Sequence, residues 1–325
     1  MENNIRRPSI IFFGTTAFAC VSLKKLFESG FFIQGVITKP DHISPGGVRN
    51  QDEIKKFALR HNLPIFQPQK IHENKELYFE LNKMHPDFFV VAVYGKILPK
   101  NFLAIPKYGS MNVHPSLLPK YRGPSPYQTA ILHGDHFTGV TIMLLDESMD
   151  HGPILSQKQI AIDPQDTGQS LGNKLADIGA IILLETIQMF FDGKTIPQQQ
   201  DHAEATFTKR FSREDGHINW SGKRIEIEQM TRAFDPWPGT FTLFLEKRLK
   251  ILKLQMTENS SLPYFFEEKF LTPGSLIVFE DRLFVRAQDG FLELLSLQIE
   301  GKKIQKAKEF IHGYHKKLEF PVLLY

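Results

Sequence analysis

Residues 9–37 read SIIFFGTTAFACVSLKKLFESGFFIQGVI. The run Ser9–Phe13 has the apolar character of a buried strand, and Gly14-Thr15-Thr16 follows as a turn. Ala19, Leu23, Leu26 and Phe27 then recur at helical spacing until Gly30 closes the helix. Phe31–Ile37 is the next strand. Strand, helix and strand in that order imply a right-handed parallel crossover, and so an α/β layer. The first turn holds one glycine, Gly14, and lacks the three-glycine fingerprint of a dinucleotide-binding turn.

Working outward, Lys39 to Asn50 is rich in turn residues and reads as an exposed loop. Asn50 with Glu53 resembles a capping box for a helix through His61. Leu63–Phe66 reads as a short strand and Glu73–Met84 as a helix. Phe88–Val93 (FFVVAV) is a continuous apolar run, the pattern of a central parallel strand covered on both faces. It ends at Tyr94-Gly95, on the carboxyl edge of the sheet where open α/β folds bind ligands. Tyr127–His133 is a helix, Thr138–Leu144 and Ile154–Ile160 are strands, and Ser170 to Phe191 is a long amphipathic helix. Lys194 to Phe207 has little apolar content and reads as an interdomain linker. Beyond it the pattern changes to short strands, Thr240–Leu245, Leu249–Met256, Leu276–Phe279, Leu283–Ala287 and Phe291–Leu297, at the spacing of a small β-barrel. A helix from Lys306 to about Tyr314 finishes the chain. The expected domains are residues 1–193, a linker at 194–208, and 209–325.

A chain of 325 residues has room for two domains. Its 42% hydrophobic and 23% charged residues are ordinary for a globular protein. The single cysteine, Cys20, excludes a disulfide framework and a thiolate metal site, and it fits a cytoplasmic setting. Met1 to Arg7 leads into too few apolar residues for a signal-peptide core, and no apolar run approaches the roughly 20 residues of a membrane span. The net charge of +3 is carried from Lys209 onward, a weak tilt that permits an anionic partner.

Chemistry concentrates in Met111 to Pro126, MNVHPSLLPKYRGPSP. At period two, Asn112 and His114 share one strand face. Pro115, Pro119, Gly123, Pro124 and Pro126 then impose a rigid loop. This is either an active-site rim or a strand end with a proline-rich connection. Asp150, in the polar loop Asp146–Gly152, adds a third group. An asparagine amide donates to an oxyanion, an imidazole shares it or moves a proton, and a carboxylate holds the imidazole or takes the proton. Alone, Asp150 reads as a loop carboxylate bonded to its own backbone. Cys20 is distant in sequence and no Gly-x-Ser-x-Gly elbow occurs, so the expected chemistry is direct transfer between two bound substrates. His133, His136 and His151 lack a ligand spacing, and no metal is expected. Arg122 either holds an anion or braces its turn. Asp235-Pro236-Trp237-Pro238-Gly239 reads as a core anchor before a ligand contact. The doublets Lys209-Arg210 and Lys302-Lys303 are a solvated face or, beside a nucleic acid, phosphate contacts.

Asn112, His114-Pro115-Ser116-Leu117-Leu118-Pro119-Lys120-Tyr121-Arg122-Gly123 and Asp150-His151-Gly152 resemble the signature of the folate-dependent formyltransferases. Phe13-Gly14-Thr15, Phe66-Gln67-Pro68, Val91 to Pro99 and Gly139 to Met143 match the same family's catalytic domain. Ile218-Asn219-Trp220, Arg232-Ala233-Phe234, Trp237-Pro238, Leu295 to Leu297 and Gly301-Lys302-Lys303 narrow the resemblance to members that act on methionyl-tRNA. It implies a doubly wound, mostly parallel, Rossmann-like sheet followed by a small OB-like β-barrel that helps hold tRNA. The implied reaction moves a formyl group from 10-formyltetrahydrofolate to the α-amino group of initiator methionyl-tRNA, with no metal. By position, Asn112, His114 and Asp150 match the catalytic trio, and Ser116, Leu117, Leu118 and Pro119 the folate loop. Arg49, Lys209, Arg210, Lys302 and Lys303 are the candidate tRNA contacts, and a monomer is expected.

Three positions depart from the family pattern. Thr16 stands where proline is usual, and Ser148 where glycine is usual, which predicts altered backbone geometry beside the folate pocket. The Asp41–Asn50 loop is short and carries one arginine, Arg49, where the tRNA-directed members carry a basic insertion. That third departure keeps a sugar-nucleotide amine open as the acceptor. A non-catalytic RNA-binding or folate-sensing protein on the same fold is the reading from another class.

Overall fold

The computed structural model describes residues 7–43, 49–257, 271–318 and 322–325. They form two compact units. The first comprises residues up to Tyr127 with Phe137–Ala161 and Leu171–Lys209; the second comprises Gln128–His136, Ile162–Ser170 and Arg210 onward.

The first unit is built on a seven-stranded sheet. In chain order its elements are β1 (Ser9–Gly14), α1 (Ala17–Glu28), β2 (Phe32–Ile37), a short ribbon of β3 (His42–Ile43) and β4 (Arg49–Asn50), α2 (Glu53–Arg60), β5 (Ile65–Phe66), α3 (Lys75–Lys83), β6 (Phe88–Ala92), α4 (Lys100–Leu103), β7 (Ser110–His114), β8 (Phe137–Leu144), β9 (Ile154–Ala161) and most of α6 (Gly168–Phe191); α5 (Pro126–Leu132), between β7 and β8 in the chain, belongs mostly to the second unit. The sheet order is β5-β2-β1-β6-β7-β8-β9, parallel through β7 and antiparallel for β8 and β9. The apolar run of β6 lies at its centre with every residue buried. One face packs Phe13, Phe89 and Val91 against Leu77 and Leu81 of α3 and against Tyr94 and Phe102. Thr16 caps α1 through its hydroxyl, so the departure from proline leaves the helix start intact. The cap of α2 is Asp52, not Asn50: one carboxylate oxygen accepts from Lys55 N at 2.7 Å and the other from the Thr38 hydroxyl at 2.6 Å.

Residues 194–208, expected as a linker, lie along this unit. Gln198 exchanges two main-chain hydrogen bonds with Ile154. Thr206 and Thr208 bracket Arg122, whose N–H donates to Thr206 O and whose carbonyl accepts from Thr208 N, both at 2.8 Å. Their polarity meets a polar loop, not solvent alone.

In the second unit α7 (Arg224–Ala233) precedes the antiparallel strands β10 (Thr240–Phe244), β11 (Lys247–Met256), β12 (Ser275–Phe279), β13 (Arg282–Ala287), β14 (Gly290–Ile299), β15 (Gln305–Lys306) and β16 (Val322–Leu323), with α8 (Ala307–Tyr314) before β16. The path is β10-β11-β14-β13-β12-β16, with β15 on β14. Tyr325, just past β16, exchanges main-chain hydrogen bonds with Leu243 of β10, so the sheet returns on itself as a barrel. Trp220, Phe244, Leu283, Leu292, Leu294 and Phe310 fill the interior. Helix α7 is absent from the sequence reading because Ile225 and Ile227 alternate with Glu226 and Glu228 at period two, as in a strand. Trp237 corrects a second expectation. It is 52% exposed, with the Arg213 guanidinium 5.9 Å from its ring, and Trp220 is the buried anchor instead.

One polar clamp, centred on the buried Glu293, runs across three strands of the barrel. Glu293 on β14 accepts from Arg282 Nη2 at 2.6 Å, Arg282 Nε at 2.8 Å and Gln255 Nε2 at 2.8 Å. The Arg282 hydrogen bonds hold its carboxyl below the usual range, against the opposing effect of burial. A depressed folded-state pKa stabilises above the unfolded value of about 4.3 and ceases to do so as pH falls through the folded value. Glu293→Gln is therefore expected to lower stability near neutrality, with the difference from the parent shrinking below about pH 4. Denaturation at pH 7 and at successively lower pH reads it; a constant difference rejects the clamp.

Candidate active site

Asn112 and His114 leave the sheet on β7, whose flanking pairs are Val91 with Asn112 on the β6 side and His114 with Thr141 on the β8 side. Period two places the amide and the imidazole on one face at the carboxyl end of the parallel strands. The loop after β8 returns Asp150 to the same place. Asp150 Oδ1 lies 3.5 Å from Asn112 Nδ2, and Oδ2 lies 3.6 Å from His114 Nδ1. Both contacts are long, a spacing common in sites that tighten around bound substrate.

The firm contacts come from the backbone. Gly123 N–H donates to Asp150 Oδ2 at 2.7 Å. His114 Nε2 meets Tyr121 O at 3.0 Å. A carbonyl only accepts, so Nε2 carries the hydrogen and the neutral ring presents an unprotonated Nδ1 beside Asp150. A proton arriving at Nδ1 makes an imidazolium paired with that carboxylate. His114 is 4% exposed, so the pair acts in a medium where charges interact more strongly than in water.

Three non-glycine residues here adopt positive φ: Val93 at 42°, Tyr121 at 61° and Asp150 at 49°. Such conformations persist only where surrounding structure enforces them, and they gather at functional sites. Ser148 is not among the positive-φ residues, and its N–H donates to Asp146 Oδ1 at 2.9 Å, so the predicted disturbance from a side chain there does not arise.

The loop Ser116 to Pro119 faces two ways. Ser116 and Leu118 are buried, Ser116 Oγ donating to Lys120 O at 2.7 Å. Thr141 Oγ1 donates to Ser116 O and accepts from Leu118 N, while Gln157 Nε2 donates to Leu118 O. Leu117 and Pro119 keep partly exposed faces. Elsewhere in this unit, Val93 and Ile97 after β6 and Met149 before Asp150 leave large apolar side chains in solvent. Burial pushes the Tyr94 phenol up, so it stays neutral.

Arg122 braces its turn. It is buried, and its guanidinium donates to Gln200 Oε1 and His202 Nδ1. Of the three histidines weighed together, His151 stacks on His202 at 4.0 Å and meets Asp146 Oδ2 at 2.6 Å. Lys209, Arg210, Lys302 and Lys303 are exposed, and Arg49 lies on β4. Lys55 is not open to a further partner, since its ammonium donates to both Asp41 oxygens and to Gln67 Oε1. The sequence reading missed Tyr121 O, Gly123 N and Gln200, two of them main-chain groups without a residue-type signal.

Residues 8–187 match the family model described as formyl transferase, and residues 210–315 match the formyl transferase C-terminal domain. The chain belongs to the formyl transferase family. It is 42% identical over 305 residues to the methionyl-tRNA formyltransferase of Thermodesulfovibrio yellowstonii, covering 94% of this chain and 95% of that one. It is 39% identical over 307 residues to the enzyme of the same name from Caldanaerobacter subterraneus subsp. tengcongensis, covering 94% and 97%. Among solved structures, the Helicobacter canadensis N-formyltransferase with folinic acid and dTDP-3-aminofucose shares the fold, with a TM-score of 0.61, 22% identity and coverage of 89% and 99%. HypX of Aquifex aeolicus with tetrahydrofolic acid does so at a TM-score of 0.62 and 15% identity, this chain covering about half of it, 51%, and aligning over 98% of itself. Among the described residues no helix is long and apolar enough to cross a membrane.

Gly123 has φ of 111°, and a Cβ there meets Thr208 O at 2.8 Å. Gly123→Ala is expected to destabilise by more than about 1 kcal/mol and to lower turnover by displacing the donor to Asp150. A folded variant with parental turnover, measured beside its melting curve, rules that donor out as a site element.

Proposed function

We propose that this formyl transferase moves the formyl group of 10-formyltetrahydrofolate to the α-amino group of initiator methionyl-tRNA. The observation that carries the reading is the convergence of Asn112, His114 and Asp150 at the carboxyl edge of the sheet. The chain's match to methionyl-tRNA formyltransferases across both domains supports the acceptor. Val93, Ile97, Leu117, Pro119 and Met149 are the proposed walls for the folate, with Ser116 and Leu118 shaping the loop from within. Exposed Arg210, Lys302 and Lys303 of the second unit, and Lys209 and Arg49 of the first, are each proposed as tRNA contacts. A monomer working in the cytoplasm completes the proposal.

10-Formyltetrahydrofolate supplies the formyl carbon as co-substrate. The neutral amine forms the new C–N bond, and Asn112 Nδ2 donates to the formyl oxygen as it gains negative charge. A preorganised donor of this kind lowers the barrier by about 2.7–4 kcal/mol. Asp150 and His114 Nδ1 take the proton released by the amine, and Asp150 pairs with the imidazolium. The C–N10 bond then breaks, and the same proton returns to N10, so charge and protons balance. A free α-amine has a pKa of about 7.7–8.0, so the reactive neutral fraction grows through neutrality.

One observation favours a second acceptor, a sugar-nucleotide amine. The 41–50 segment carries a single arginine, and Lys55 of α2 is committed to Asp41 and Gln67.

Purified protein given 10-formyltetrahydrofolate is expected to formylate methionyl-tRNA, with a rate that falls as salt rises because phosphate contacts release counterions. Formylation of amino-sugar nucleotides alone, under the same conditions, rejects the preferred acceptor. Asn112→Ala and Asp150→Ala are each expected to lose at least about 100-fold in turnover. Near-parental rates in both reject the assigned roles.

A further inference from the structure

Gln200 has no part in the reaction as described, yet it touches two of the turns that shape the site, at Arg122 and at Asp150 to Gly152. It is 5% exposed. Its Oε1 accepts from Arg122 Nη2 at 2.7 Å and from Arg122 Nε at 3.2 Å. Its Nε2 donates to Gly152 O at 2.8 Å and to Asp150 O at 3.0 Å. A guanidinium only donates and a carbonyl only accepts, so the orientation of the amide is dictated by its neighbours. All four bonds require a primary amide: a carboxylate lacks the donor, and an apolar side chain lacks both.

The two ends of this bridge matter. At one end is the main chain of Asp150 and Gly152, where Asp150 holds φ of 49°. A side-chain-bearing residue leaves that conformation unless neighbouring contacts enforce it. At the other end is Arg122. The residue before it, Tyr121, takes the His114 Nε2 hydrogen on its carbonyl, and the residue after it, Gly123, donates to the Asp150 carboxylate. One amide therefore joins the Asp150 backbone to the turn that grips both its carboxylate and the imidazole. The long 3.5 and 3.6 Å spacings to Asn112 and His114 leave the carboxylate's aim to these supports.

We propose that Gln200 is a positioning residue for formyl transfer. It holds the Asp150 backbone in its left-handed conformation and ties it to the Tyr121–Gly123 turn, so that the carboxylate is aimed at Asn112 and His114. The proposal rests on the reading of Asp150 given above. It also explains why a segment with the composition of a linker is laid along the catalytic unit.

The test is a cycle of Gln200→Leu and Gln200→Glu, each alone and combined with Asp150→Asn, assayed with 10-formyltetrahydrofolate and methionyl-tRNA and followed by thermal melting. Gln200→Glu keeps an acceptor for Arg122 and loses the donor to Asp150 and Gly152; it carries the test if Gln200→Leu does not fold. The expected result is a fall in kcat of about 10- to 100-fold, the scale of a misplacement near 1 Å, with both KM values within about twofold. In the Asp150→Asn background the same Gln200 change costs less than about threefold, because a residue acting through the carboxylate is not additive with its loss. A folded Gln200 variant with kcat within about twofold of the parent overturns the proposal, as does an equal loss with and without the Asp150 carboxylate. If Asp150→Asn alone retains parental turnover, the reading of Asp150 fails first and separately, and the positioning role falls with it.

Discussion

The Asp150 carboxylate depends on one main-chain donor, Gly123 N–H at 2.7 Å, and much of the first unit serves to present it. A carboxylate beside a buried imidazole is costly unless fixed dipoles replace the water it has lost. The sheet cannot supply them, because its N–H groups are spent on the ladder. The proline-rich turn supplies them instead, with Thr206 and Thr208 holding Arg122 in place by backbone pairing. Placing a glycine at φ of 111° lets the Thr208 carbonyl approach where a Cβ would intrude.

From this constraint the division of labour follows. β7 delivers an amide and a ring with the rigidity of a central strand, and their spacing is set by the period of the pleat. The carboxylate comes from a loop and must be aimed by contacts far away in sequence. A site built in this way has two rigid members and one supported member, and its sensitivity to distant substitution concentrates on the supports of the third.

The second unit solves a different problem. A barrel-like sheet is left with edges unless its ends meet, and here the last residue, Tyr325, meets β10. Its interior is apolar and its Glu293–Arg282–Gln255 clamp is fully bonded. Its surface leaves Lys302, Lys303 and the aromatic Trp237 in solvent, a composition suited to an anionic partner.

Local pattern carried most of the architecture. The βαβ opening, the all-buried β6 and the face shared by Asn112 and His114 all follow from spacing along the chain, because strand and helix periods are properties of the backbone. The pattern fell short where local signals conflict with tertiary partners: Ile225 to Glu228 alternate at period two, so α7 went unread, and Trp237, set among prolines, is exposed while Trp220 is buried. What no spacing could reveal is the aim of Asp150. It depends on a backbone amide at Gly123 and a carbonyl at Tyr121, groups present at almost every position, and on a side-chain amide at Gln200 that lies far away along the chain. Only the folded chain selects which of them converge, since hydrogen-bond geometry is decided by distance in space and not along the sequence.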